Sequence, residues 1–483
     1  MRPFLYPSNS GKWTGMLAYF VTTMVSEMSR HVGRSLVHRI YDSDVTDSIR
    51  HQGMAPFEAP LSVETVRFLS GYLASLVIEG LYGKNGMMSQ FCSQCLKNLV
   101  GIDPTLGRVA IPFLLGALDP GAVNQSHQAP VAMQTLNLLM KPLLFPCPVM
   151  LPYVSDLLRL SLPGVDPNDN TKTCVTLSMW TGLLSWLPVQ SSYRAPAADS
   201  YPPAFLSIVN SVDQLDPAAE ALYRSFQSPA RVQAAYDSLV LALEEWVPCV
   251  MDRIFAVVEA QEKVDKKQKA HHVVGFIAEF FGQLVSACSS DLRQVVEDKV
   301  VDFFKSSTPL NAAKLCSKIA SCITETGGEH GPASMRRLLE TLVTADVLGN
   351  SCSAEVLAYR LRVVAGVVRY GGGDSIVQCL DLLTPLVGPT FTSHTDRDVR
   401  DCAAKLLKDL LRGATSQYVF LSYYSSEPFY FLFCAIQIVW SLTEYYQSKH
   451  HKSVNLGHGF IPSSITRLLL LTTAINLSTT IPV

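Results

Sequence analysis

Apolar residues recur along most of this chain at spacings of three and four, the period at which side chains share one face of an α-helix. Val66, Leu69, Tyr72, Leu73, Leu76, Val77 and Leu81 form one such stripe. Comparable stripes run from Val131 to Leu144, Leu151 to Leu162, Leu239 to Val258, Val273 to Val285, Met335 to Leu348, Val356 to Val368 and Val399 to Leu411. Sustained alternation with a period of two, the mark of a half-buried strand, is scarce. The pattern predicts an all-α protein whose helices are roughly 12 to 20 residues long and joined by short loops.

The breaks between stripes carry helix-start chemistry. Asp-Pro occurs at Asp103-Pro104, Asp119-Pro120, Asp166-Pro167 and Asp216-Pro217, with related pairs at Ser228-Pro229 and Thr308-Pro309. A side-chain oxygen can accept from the free amides of a first turn, and proline at the first helical position gives up no helix bond. Most of these pairs are therefore expected to start helices, with a plain surface turn as the alternative at each.

A helix with a single apolar stripe cannot bury it alone, whereas helix pairs stacked side by side share one elongated core. No strict residue period is visible, which favours the degenerate units of HEAT or armadillo type, in which apolar pattern is held more firmly than identity. The expected fold is thus an α-solenoid of stacked helical hairpins. Residues 1–189 and 217–414 read as two blocks of HEAT-like repeats. Residues 190–216, with Ser191, Ser192, Pro196, Pro202 and Pro203, read as a loop-rich insertion. Residues 415–483 read as an atypical apolar tail, disordered or the product of a misassembled gene.

Composition narrows the functional classes. Of 483 residues 48% are hydrophobic and 17% charged, too apolar for a disordered chain. Lys plus Arg total 39 against 41 Asp plus Glu, so no global field attracts nucleic acid or an anionic membrane. Glu262 to His272 holds Lys263, Lys266, Lys267 and Lys269 and reads as a solvated face; a basic contact is the alternative, diluted by Glu262 and Asp265. The twelve cysteines are mostly scattered singly through apolar stretches, which predicts a reducing compartment. The N-terminal residues lack the pattern of a secretory signal. Phe429 to Leu442 is strongly apolar but is closed by Glu427 and Glu444, short of the roughly 18 to 20 residues of a bilayer span.

Candidate reactive groups are few. Cys92-Ser93-Gln94-Cys95 has the gap of a redox pair or half a zinc site, but Phe91, Leu96 and Leu99 place it in a helical stripe and no second pair lies at zinc spacing. Buried structural cysteines are the expectation. His271-His272 and His450-His451 are adjacent, so on a helix their side chains diverge by about 100° and cannot converge on one ion. Gly371-Gly372-Gly373-Asp374 lacks the lysine and hydroxyl of a P-loop and is expected to be a helix-to-helix turn. No catalytic, cofactor-binding or metal-ligating residue is assigned, and the chain reads as a protein-binding scaffold and not an enzyme.

Two octets carry a family resemblance: Tyr6-Pro7-Ser8-Asn9-Ser10-Gly11-Lys12-Trp13 and Leu162-Pro163-Gly164-Val165-Asp166-Pro167-Asn168-Asp169. With Met251-Asp252-Arg253 they resemble segments of the proteasome activator complex subunit 4 family, very large HEAT-repeat activators, over roughly Pro3 to Ala414. The resemblance implies an activator that caps the proteasome core particle and opens its gate without ATP. It also implies ubiquitin-independent degradation of peptides, unfolded proteins and acetylated histones, in nucleus and cytosol. It also implies a chain that is one portion of a longer protein; from the residues themselves no cofactor, no direct nucleic-acid partner and no membrane are expected. The family docks through a C-terminal tail with a penultimate aromatic residue, whereas this chain ends Thr480-Ile481-Pro482-Val483. Its acetyl-lysine-binding region lies beyond the part resembled, so no binding residue is carried over. The competing readings are a HEAT-type transport receptor and a membrane-anchored protein using Phe429 to Leu442.

Overall fold

The computed structural model describes residues 12–40, 63–83, 86–121, 127–144, 149–187, 229–260, 271–325 and 331–421. The chain divides into two compact units after Ser426, and every described residue belongs to the first. Among the described residues all regular structure is helical. In chain order the first helices are α1 (Lys12–Ile40), α2 (Val63–Gly80), α3 (Gly86–Ile102), α4 (Gly107–Gly116), α5 (Gln128–Leu144) and α6 (Val154–Ser161). Next come α7 (Asn170–Trp186), α8 (Pro229–Ala260), α9 (His271–Ala287), α10 (Ser290–Ser306), α11 (Ala313–Glu325) and α12 (Gly331–Leu342). The last are α13 (Ala345–Leu348), α14 (Ala354–Arg369), α15 (Gly373–Gln378), α16 (Leu380–Leu383), α17 (Pro389–Thr392) and α18 (Arg397–Leu421).

These helices form two rows. One runs α1, α3, α5, α7, α9, α11, α14, α18, each packed on the next; the other runs α4, α6, α8, α10, α12, α15. Helices of one row alternate along the chain with those of the other over most of the length, so each hairpin spans both layers and stacks on its neighbours. That is the α-solenoid the apolar pattern predicts. The shared core between the rows holds Leu99, Leu136, Leu183, Phe280, Ile319 and Val364, all fully buried. The first row is covered on two sides, and α7 shows the consequence in sequence. It carries apolar residues around its circumference and lies between α5 and α9.

Local chemistry explains most helix starts. Asp103 accepts from the Thr105 amide at 3.0 Å and Pro104 opens a 3-10 turn that runs into α4. Asp169 caps α7 through the Lys172 amide at 2.9 Å, and Ser289 and Ser353 cap α10 and α14 in the same way. Pro229 is the first residue of α8. At two Asp-Pro pairs the alternative, a surface turn, is what forms. Asp119 accepts from the Gly121 amide and Asp166 from the Asn168 amide, both at 2.9 Å, so each makes a local turn in place of a helix start. Pro309 sits one residue ahead of a 3-10 turn, and Asp216-Pro217 lies outside the described residues.

Other corrections concern length and facing. α1 has 29 residues and α8 has 32, longer than the spacing implied. α8 passes through Pro248, whose missing amide costs a helix bond, while the burial of Trp246, Val247, Val250 and Met251 around it holds the helix together. The Met335–Leu348 stripe breaks at Thr344, which adopts an extended backbone and separates α12 from α13. Tyr72 does not join the stripe of its helix: it is 58% exposed. Of the tail expected over 415–483, residues 415–421 continue α18; the rest of it, and the insertion at 190–216, lie outside the described residues.

Candidate functional site

Cys92 and Cys95 lie on one face of α3, turned toward α1 and α2, where they line a small cleft with Leu17, Val21, Leu76, Val77 and Met88. Both are buried, and the Cys95 thiol donates to the Thr22 hydroxyl at 3.2 Å. Burial pushes the Cys92 thiol up to about 12, with the neighbouring Cys95 adding to the shift. Burial likewise pushes Cys288 up to about 12 and Cys322 and Cys379 up to about 11. A thiol held neutral is a poor nucleophile and metal ligand, and both side chains pack in the core. Among the described residues no group of three His, Cys, Asp or Glu could hold a metal ion.

A labelling prediction follows from those thiols. In native protein at neutral pH, a maleimide should modify the exposed Cys249 well before Cys92, Cys322 or Cys379, which should react only after denaturation. The pH dependence has a definite sign. Each of these buried thiols has a pKa above its unfolded value, so its contribution to stability is whole below the ordinary thiol pKa of 9.0. That contribution falls as pH rises toward about 12. Mass spectrometry of the labelled sites and alkaline melting curves check the two statements.

Gly371, Gly372 and Gly373 make the turn from α14 into α15. Gly372 has φ of 79°, a backbone that only glycine adopts without strain, which accounts for the glycine at that position. His271 and His272 open α9. His450, His451, Lys263 to Lys269 and Phe429 to Leu442 lie outside the described residues. Among the described residues no helix is long and apolar enough to cross a membrane.

What the structure brings together is a set of arginines that tie one helical unit to the next. Arg293 on α10 donates to the Ile323 carbonyl near the end of α11 at 2.9 Å. Arg336 on α12 donates to the Gln378 carbonyl at 2.9 Å, where α15 ends, and also pairs with Asp381 at 2.7 Å. Arg360 on α14 reaches the Phe304 carbonyl of α10 at 3.3 Å and the Thr341 carbonyl of α12 at 3.5 Å. Arg253 on α8 reaches the Val165 carbonyl at 3.4 Å. The last carbonyls of a helix have no partner within it and carry partial negative charge, so a guanidinium is the matching donor. Beside these, buried Glu297 of α10 accepts from the Ser334 hydroxyl of α12 at 2.6 Å and pairs with Arg337 at 3.5 Å. Asp298 completes that cluster on Arg337.

Replacing Arg360 by methionine should keep the packing of its stem and lose both carbonyl contacts, at a cost of about 1 to 2 kcal/mol. Denaturant melts of the variant against the native chain read that difference. The sequence reading missed these arginines. Their signal was present, since Arg360 lies between Leu357 and Leu361 on a buried face, but the carbonyls they meet lie 19 to 88 positions away in sequence.

A chain built this way offers surface shape and helix-to-helix ties, and among the described residues six of the eleven large exposed apolar side chains lie on its first helices: Met16, Tyr19 and Phe20 on α1, Phe68 and Tyr72 on α2, Met87 on α3. The sequence profile of a family described as "Proteasome activator complex subunit 4, mid HEAT repeats region" matches residues 1–354. The chain belongs to this family. Proteasome activator complex subunit 4 of Xenopus laevis is 21% identical over 448 residues, which cover 86% of this chain and 22% of that protein. The Homo sapiens protein is 21% identical over 449 residues, again 86% of this chain and 21% of that protein, and subunit 4B of Danio rerio is 21% identical over 404 residues. The chain therefore spans about a fifth of the length of these relatives. Among solved structures, importin beta aligns with 12% identity and a TM-score of 0.29 over 91% of this chain and 57% of that one. Kap121p aligns with 12% identity and a TM-score of 0.24 over 90% and 49%. Membership in the family rests on the profile match.

Proposed function

We propose that this chain is a non-catalytic scaffold segment of an ATP-independent proteasome activator. In this reading its stacked hairpins form part of the wall by which the whole protein caps the proteasome core particle. The whole protein then promotes ubiquitin-independent degradation of peptides, unfolded proteins and acetylated histones, in nucleus and cytosol. The observation that carries the reading is the family match over residues 1–354. The double row of helices supports it physically, because stacked units hold a long surface in register without any reactive centre.

The test is co-sedimentation with purified core particles, read alongside hydrolysis of a fluorogenic peptide. A full-length family protein should bind and accelerate hydrolysis. This chain, with about a fifth of that length, should leave the rate unchanged. Acceleration by the chain alone would show that gate opening resides within these helices and would overturn the scaffold assignment. Failure of the full-length protein to bind core particles would remove the proteasome from the proposal altogether.

A further inference from the structure

We draw no further inference here: the strongest candidate, the surface patch on α8 where exposed Leu241 stands among Asp237, Glu244 and Glu245, is an acidic cluster around one apolar side chain, and nothing in the structure shows what covers it.

Discussion

Gly366→Val is expected to unseat α11 from α14 and to cost about 3 kcal/mol or more. A side chain at Gly366 would overlap the backbone carbonyl oxygen of Ser317, and a carbonyl inside a helix cannot swing aside as a side chain does. The two helices would have to move apart along the row that also contains α9 and α18. Gly413 of α18 makes the same kind of approach to the Val368 carbonyl of α14, so displacement of α14 strains both junctions. Because coupling in a stacked array is between nearest neighbours, the loss should be local. Hydrogen exchange should show protection falling in α11, α14 and α18 and holding in α1 to α7. Unchanged protection at α11 and α14 would mean that the rows tolerate far looser packing than these distances imply.

The second large effect is expected from Trp180→Ala. Trp180 is fully buried on α7 and stands at the meeting of three helices: its ring lies 4.8 Å from Trp246 of α8, edge to face, and 5.7 Å from Phe280 of α9. Its indole N–H donates to the Ser161 hydroxyl at the end of α6 at 2.8 Å. Truncation removes the largest fully buried side chain among the described residues and leaves a cavity, a loss of about 3 to 5 kcal/mol. Trp180→Phe separates the two contributions. It keeps most of the ring volume and loses the indole donor, while Ser161 retains its bond to the Leu157 carbonyl at 2.6 Å, so the cost should be nearer 1 to 2 kcal/mol. Equal losses for both variants in denaturant melts would assign the effect to the hydrogen bond and not to the cavity.

Both positions show how much was legible beforehand. The stripes at 131–144, 273–285 and 356–368 locate helices to within a few residues, because helical amphipathicity is a local property of sequence. The burial of Cys92 and Cys95 was readable from the apolar residues around them, and the turn at Gly371 to Gly373 from the backbone freedom of glycine. Asp119 was not, since the same dipeptide makes a cap or a local turn according to where the following chain goes. Nor was Gly366, whose small size looks like a weakness in a helix until the Ser317 carbonyl is seen against it.

By itself the sequence determined that this chain is helical, where most helices lie, which face of each seeks cover, and to which family it belongs, through segments such as Leu162 to Asp169. Those are properties of neighbouring residues, written at spacings of one to eight positions. Only the tertiary structure decided that the helices form two rows, that Gly366 and Gly413 admit a neighbouring backbone, and that Arg293, Arg336 and Arg360 close the ends of helices in other units. The physical reason is separation: a donor and the carbonyl it satisfies, or a glycine and the backbone it admits, lie tens of residues apart, and no local period records that they meet.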